Sequence, residues 1–284
     1  MYSMKVFTVA THSQNMFPFL QQSAKRFGHE LHVLGWGQTY RNHLQKDELM
    51  LEAVTSLPGD ELVCFVDGFD SILCSTPEEL LYAYHASGNT FVMSVDGRRS
   101  NLQWLRHPLW CYSYLRVFPR IHGSVFINTG MYMGTAREIR DWLARVQDFT
   151  QDTNSNQVAW GRCIHANPVH APSVDEYSRL FYNHMQIFSD EFAIMGRPDG
   201  RVIRTRDGAP LHVVSLPGFR DATPLLQDIY GPTVTAPPVS HAWGMHKKIG
   251  YYASVFRIEV AVLVCAAVVV ALRRKQRVTR KIRD

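Results

Sequence analysis

The chain has 284 residues, 46% of them hydrophobic and 19% charged, a globular balance that excludes a disordered or collagen-like polypeptide. The length suits one large domain or two small ones. The formal charge is +5, but residues 273–284 (RRKQRVTRKIRD) hold seven Lys/Arg and one Asp, so the other 272 residues carry −1 and the basic excess is a tail, not a nucleic-acid-binding body.

Strand and helix signals alternate through the first hundred residues. Lys5–Ala10 is a short apolar run and predicts a buried strand. Met16–Phe27 has helical periodicity, and Glu30–Leu34 predicts a second strand closed by Gly35-Trp36-Gly37. Lys46–Leu57 has helical spacing and ends at Pro58-Gly59, and Glu61–Val66 predicts a third strand. Thr76-Pro77-Glu78-Glu79 marks a helix start, with Thr as N-cap, Pro at N1 and acids in the first turn. Thr90–Val95 predicts a fourth strand. This alternation predicts an α/β fold with a mostly parallel sheet flanked by helices, whose active site lies at the carboxyl ends of the strands.

Three polar groups follow apolar strands. Asp67-Gly68-Phe69-Asp70 follows LVCFV, and two carboxylates at the end of a buried strand read as a site for Mg²⁺ or Mn²⁺, or as a solvated Asp-Gly turn. Asp96-Gly97 follows TFVMSV and reads as an acid reaching a sugar hydroxyl, or as a loop Asp. Asn128-Thr129-Gly130 lies between SVFI and MYMGT and reads as donors for a sugar, or as a plain turn. There is no GxGxxG, P-loop, GxSxG or HExxH. The five cysteines have no zinc-site spacing; Cys64 and Cys265 lie in apolar runs, and one disulfide among the others stays open.

The C-terminal third ends differently. Residues 233–250 read as a stalk after a body spanning 1–232. Residues 251–272, built on Val260–Leu272 (VAVLVCAAVVVAL), read as a membrane-anchor helix ahead of the basic tail, or as a buried helix. Lipid headgroups are the expected partner of the tail, and no nucleic acid is expected. The positive-inside rule places the body in a lumen, yet MYSMKVFTVATH carries no leader pattern. A longer start, or a tail anchor with the body in the cytosol, both answer this.

Taken together, the motifs resemble the glycosyltransferase domain at the front of procollagen lysyl hydroxylases, a GT-A-type fold that uses UDP-sugars and Mn²⁺. The likeness runs from Val6 to about Gly231. It rests on TVAT at Thr8–Thr11, QSAK at Gln22–Lys25, and VLGxG at Val33–Gly37 followed by Tyr40 where the family has Trp. It continues through Gln45-Lys46 with Leu49-Met50, the VDxxD motif at Val66, Asp67 and Asp70, and Val95-Asp96-Gly97. Ile127-Asn128-Thr129-Gly130 with Gly134, and Ile187-Phe188, complete the series.

The resemblance implies a metal-dependent transfer of glucose or galactose from a UDP-sugar to a hydroxyl acceptor, hydroxylysine-linked or other, in the endoplasmic reticulum or Golgi. It implies Asp67 and Asp70 as Mn²⁺ (or Mg²⁺) ligands, Tyr40 beside the nucleotide, Lys46, Asp96 and Gly218 as donor-binding residues, and Asn128 near the sugar or acceptor. Two departures stand out. An acidic run near DDDQ is here Asn154-Ser155-Asn156-Gln157, with Asp152 upstream, which makes Asn156 and Asp152 the candidates there. A HGNG segment is here Ser215-Leu216-Pro217-Gly218, so the third metal ligand falls to Ser215 or to His212. These departures keep a second reading open, a degenerate member that binds a glycan or partner without turnover.

Overall fold

A computed structural model of the chain describes residues 4–98, 125–184, 193–217 and 221–237. In chain order the elements are β1 (Met4–Val9), α1 (Phe17–Phe27), β2 (Leu31–Leu34), α2 (Leu44–Thr55), β3 (Leu62–Val66), β4 (Ser71–Leu73), α3 (Pro77–Ser87), β5 (Phe91–Arg98) and β6 (Val125–Thr135). They continue with α4 (Ala136–Val146), α5 (Asn156–Ala166), β7 (Ser173–Val174), β8 (Phe181–Asn183), β9 (Ile194–Gly196), β10 (Val202–Arg204), β11 (Pro210–Leu211), β12 (Val213–Ser215) and α6 (Thr223–Tyr230).

The main sheet has six strands in the order β2-β1-β3-β6-β5-β7. β1 is parallel to β2 and β3, and β5 is parallel to β7. β6 is the exception to the parallel sheet expected from the sequence, since it runs antiparallel between β3 and β5. The apolar run LVCFV is buried at every position because both faces of β3 are covered. Val63 and Phe65 join one core with Met50 and Val54 of α2, Ile139 and Trp142 of α4, and Trp160 of α5. Leu62, Cys64 and Val66 join the other with Leu20 of α1, and Leu80 and Tyr84 of α3. A third core lies under α6, where Leu225 and Leu226 pack with Ile72, Tyr182 and Val214.

Local chemistry sets the helix starts. Thr76 is the expected N-cap, with Pro77 in the first turn, and it also makes a capping box with Glu79. Thr135 and Ser155 cap α4 and α5 through the backbone N–H groups of Glu138 and Val158. Cys64, Cys74 and Cys163 are buried free thiols.

Among the described residues, no helix is long and apolar enough to cross a membrane. The anchor expected over 251–272, the basic tail, the stalk beyond residue 237, Gly218 and Ile187-Phe188 all lie outside the described residues.

Candidate functional site

The site is built where β3 ends. The backbone N–H of Asp67 donates to the Gly130 carbonyl of β6 (2.7 Å), which carries the chain out of the sheet with its carboxylate at the strand end. Gly68 then passes so close to β1 that a Cβ there would lie 2.6 Å from the Val9 carbonyl and 2.9 Å from Thr8 Oγ1. Asp70 closes the turn. Its carboxylate accepts from the Ser71 hydroxyl (3.2 Å) and from Ser215, and its carbonyl accepts from the Leu216 N–H (2.5 Å). β4 and β12 pair with Ser71 opposite Ser215, which is why these two hydroxyls flank Asp70.

A cation is already at hand. Lys46, buried in the first turn of α2, donates from Nζ to Asp67 Oδ2 at 2.5 Å. Burial alone would lower the lysine pKa, but the Asp67 charge outweighs it and holds the ammonium above its ordinary value. Burial likewise opposes ionisation of Asp67, and Lys46 outweighs it in the other direction, so Asp67 sits below the usual carboxylate range. Asp70 makes no ion pair of its own among the described residues; burial and the neighbouring Asp67 charge outweigh the field of Lys46 and push it up to about 8. Tyr40 lies on the loop before α2, with its hydroxyl 3.0 Å from His43 Nδ1, and burial raises its pKa against the lowering field of Lys46.

A second arm forms at the end of β5. Asp96 accepts from Asn128 Nδ2 at Oδ1 (2.6 Å) and from Gln157 Nε2 at Oδ2 (2.7 Å), the pattern an ionised carboxylate makes. Asn128 Oδ1 in turn accepts from the Gly130 N–H (2.7 Å). The triplet Asn128-Thr129-Gly130 is therefore part of β6 and not a turn between two strands. A register shift opens there, with Met93 opposite Tyr132 but Ser94 opposite Asn128.

Beneath both arms lies a buried network. Asp47 accepts from Asn156 Nδ2 (3.1 Å) and from the Trp160 indole N–H (2.9 Å), and Asn156 Oδ1 accepts from the Thr129 hydroxyl (3.1 Å). Burial pushes the Asp47 carboxyl up to about 6, even against these hydrogen bonds and Lys46.

The structure thus brings Asp67, Asp70, Lys46 and Tyr40 together, and groups Asp96 with Asn128. It corrects one residue. His212 stands at the other end of β12 from Ser215, with its Nδ1 2.8 Å from Ser75 Oγ and its carbonyl bound to the Cys74 N–H, so Ser215 faces Asp70 and His212 does not. Asp152 is exposed on a turn with positive φ (61°), and Asn156 is committed to Thr129 and Asp47. Sequence reading missed Asp47 and Trp160, and named Thr129 and Gln157 only as members of their motifs. Gln157 closes the DDDQ-like run and was within reach; Asp47 looks like any polar helix residue until α5 is seen against it.

Among the described residues no group of three or more His, Cys, Asp or Glu side chains is arranged for a metal. Asp67 and Asp70 offer two carboxylates at the end of β3. Such a pair fits Mg²⁺ or Mn²⁺ shared with substrate phosphates and water, not a cage made by protein alone.

The family described as the PLOD GT domain matches residues 1–206. The chain belongs to this family. By that description the matched region is a glycosyltransferase domain. Similar relatives include mouse procollagen-lysine,2-oxoglutarate 5-dioxygenase 2, 29% identical over 51% of this chain and 21% of the relative. The Drosophila melanogaster procollagen-lysine,2-oxoglutarate 5-dioxygenase is 25% identical over 63% of this chain and 25% of its own. The rat multifunctional procollagen lysine hydroxylase and glycosyltransferase LH3 is 29% identical over 51% and 20%. The chain therefore spans only a fifth to a quarter of these relatives' length. A solved glycosyltransferase involved in the glycosylation of the major capsid of PBCV-1 is 9% identical, covering 75% of this chain and 92% of its own, with a TM-score of 0.42.

Proposed function

We propose that the chain transfers a hexose, glucose or galactose, from a UDP-sugar to a hydroxyl acceptor on a protein or glycan, with a divalent cation held by Asp67 and Asp70. The observation that carries this reading is the half-buried Asp67–Asp70 pair at the end of β3, countered by a single ammonium, Lys46. Lys46 balances the charge of Asp67 alone, so an ionised Asp70 would need a further cation, which Asp67 and Asp70 would hold. When bound, that cation supplies Lewis-acid stabilisation of the charge that develops on the departing UDP.

The chain's own residues do the rest. Lys46 holds Asp67 ionised and oriented. Asp96, fixed at both oxygens by Asn128 and Gln157, is the acid assigned to the donor sugar. Asn128 acts by holding Asp96, since its amide is already committed to Asp96 and Gly130. The Tyr40 ring is offered to the nucleotide beside Lys46. A hydroxylysine-linked acceptor is the first to try, because relatives bear procollagen-lysine names. Residues 251–284 are read as a membrane anchor with a basic tail, which places the enzyme on an endoplasmic reticulum or Golgi membrane; truncation after residue 250 should release it into the soluble fraction.

The Ser215 hydroxyl at Asp70, where the resemblance expects an imidazole, favours a second reading, a UDP-sugar-binding member without turnover. A donor screen with Mn²⁺ that reads released UDP separates the two. Release that disappears in Asp67→Ala supports transfer, and binding without release supports the second reading.

A further inference from the structure

The donor contacts proposed above leave Asp47 without a role, although it is among the most deeply buried acids in the fold (2% exposed). A helix that needed only to pack against α4 and α5 could carry an apolar residue there, at less cost than a buried carboxylate. What Asp47 does instead is reach across to α5 and take both Asn156 Nδ2 and the Trp160 indole N–H.

The chain neighbours of this network are the site itself. Lys46, next to Asp47, grips Asp67. Gln157, next to Asn156, grips Asp96 Oδ2. Thr129, which donates to Asn156, is next to Asn128, which grips Asp96 Oδ1. One route from α2 to the Asp96 arm passes by Lys46, Asp67 and the Gly130 backbone to Asn128, and the other, which alone reaches both Gln157 and Thr129, runs through the Asp47 carboxylate.

We infer that Asp47 is a positioning residue that fixes the cation arm (Lys46, Asp67, Asp70) against the sugar arm (Asp96, Asn128, Gln157). This rests on the transferase reading. It touches neither donor nor cation and acts through Asn156 and Trp160. It also accounts for an amide at 156: a carboxylate there would face the Asp47 carboxylate across a 3.1 Å contact.

The hydrogen-bond directions make a sharp test possible. In Asp47→Asn, an amide that offers one acceptor and one donor faces two N–H donors, so one link is lost. In Asn156→Asp, two carboxylates meet. In the double exchange Asp47→Asn with Asn156→Asp, Asn at 47 donates to Asp at 156 and accepts from Trp160, while Thr129 still donates to 156. All three links return.

The experiment uses the full chain with Mn²⁺ and UDP-glucose or UDP-galactose, reading released UDP. A second readout, without metal or donor, is the Trp160 indole N–H resonance in ¹⁵N-tryptophan-labelled protein. Each single variant should lower kcat by about tenfold or more, the effect typical of groups that orient a metal site from behind, with donor KM changed by less than about threefold. The double exchange should recover kcat to within about threefold of wild type, and the indole resonance should shift in Asp47→Asn and return. Single variants with wild-type kcat, or a double exchange no better than the worse single, overturn the inference. No UDP release by wild type overturns the transferase reading and this inference with it, whereas normal wild-type release with unaffected variants overturns the inference alone.

Discussion

Lys46 Nζ and Asp67 Oδ2 lie 2.5 Å apart across the α2–β3 junction, with side chains only 9% and 18% exposed. Breaking a buried pair by removing one partner leaves an uncompensated charge, which costs far more than the intact pair contributes. Lys46→Met would leave Asp67 and Asp70 facing each other with no cation. It is expected to lower metal-free stability by about 3 kcal/mol, the low end of the range because Asp67 keeps some solvent. Mn²⁺ should then raise the thermal midpoint more in Lys46→Met than in wild type. Calorimetric melts with and without the metal check both.

Asp70 stands in the opposite situation, since burial and the Asp67 charge work against its ionisation. Asp70→Asn removes that repulsion and keeps a group able to accept from Ser71 and Ser215. It is expected to leave metal-free stability unchanged or raise it by about 1 kcal/mol, while UDP binding in Mn²⁺ is lost, a stability–function trade-off. Denaturant midpoints paired with UDP titrations read the two effects separately.

The approach of Gly68 to β1 yields a steric expectation. In Gly68→Ala the new methyl meets backbone oxygen at 2.6 Å, which cannot rotate away. The turn has to shift, at about 1–3 kcal/mol as for other overpacked sites, and both acids shift with it. Reduced stability together with weaker Mn²⁺-dependent UDP binding is expected, measured by melting and calorimetry on the same sample.

His29 and His212 converge on Ser75, through its carbonyl (2.7 Å) and its hydroxyl (2.8 Å). Burial holds both below the ordinary histidine pKa; Glu78 and Glu79 oppose this and Arg201 adds to it at His212. Unfolded chains therefore bind more protons at these sites in mildly acidic solution, so their contribution is complete above pH 6.5 and is lost as pH falls through the folded values. Asp47, raised to about 6, works the other way over its own range, losing stability as pH rises. Comparison with His212→Gln isolates the histidine part. Wild type should lose more thermal stability than His212→Gln between pH 7.5 and pH 5.

Most of the frame was legible because it follows from local rules. The apolar strand LVCFV, the Thr76 capping box and the acids after β3 are each set by neighbours in sequence. β6 stays ambiguous in the sequence because its polar triplet also fits a turn; pairing with β3 on one side and β5 on the other keeps Asn128-Thr129-Gly130 in a strand. His212 was drawn toward the metal by its chemistry, but three residues along a strand carry it to Ser75. Asp47 was invisible because its partner Trp160 lies 113 residues away in sequence, and Gln157, though part of the DDDQ-like run, gives no sign of its partner Asp96, 61 residues away.

The central claim is that Asp67 and Asp70 carry a cation-dependent sugar transfer. Its most direct measurement is UDP released by the full chain from UDP-glucose and UDP-galactose, with Mn²⁺ and then with excess chelator, in wild type and Asp67→Ala. The account expects release with at least one donor in Mn²⁺, none above background in chelator, and none in Asp67→Ala. Release that continues in chelator, or that survives Asp67→Ala, would contradict it.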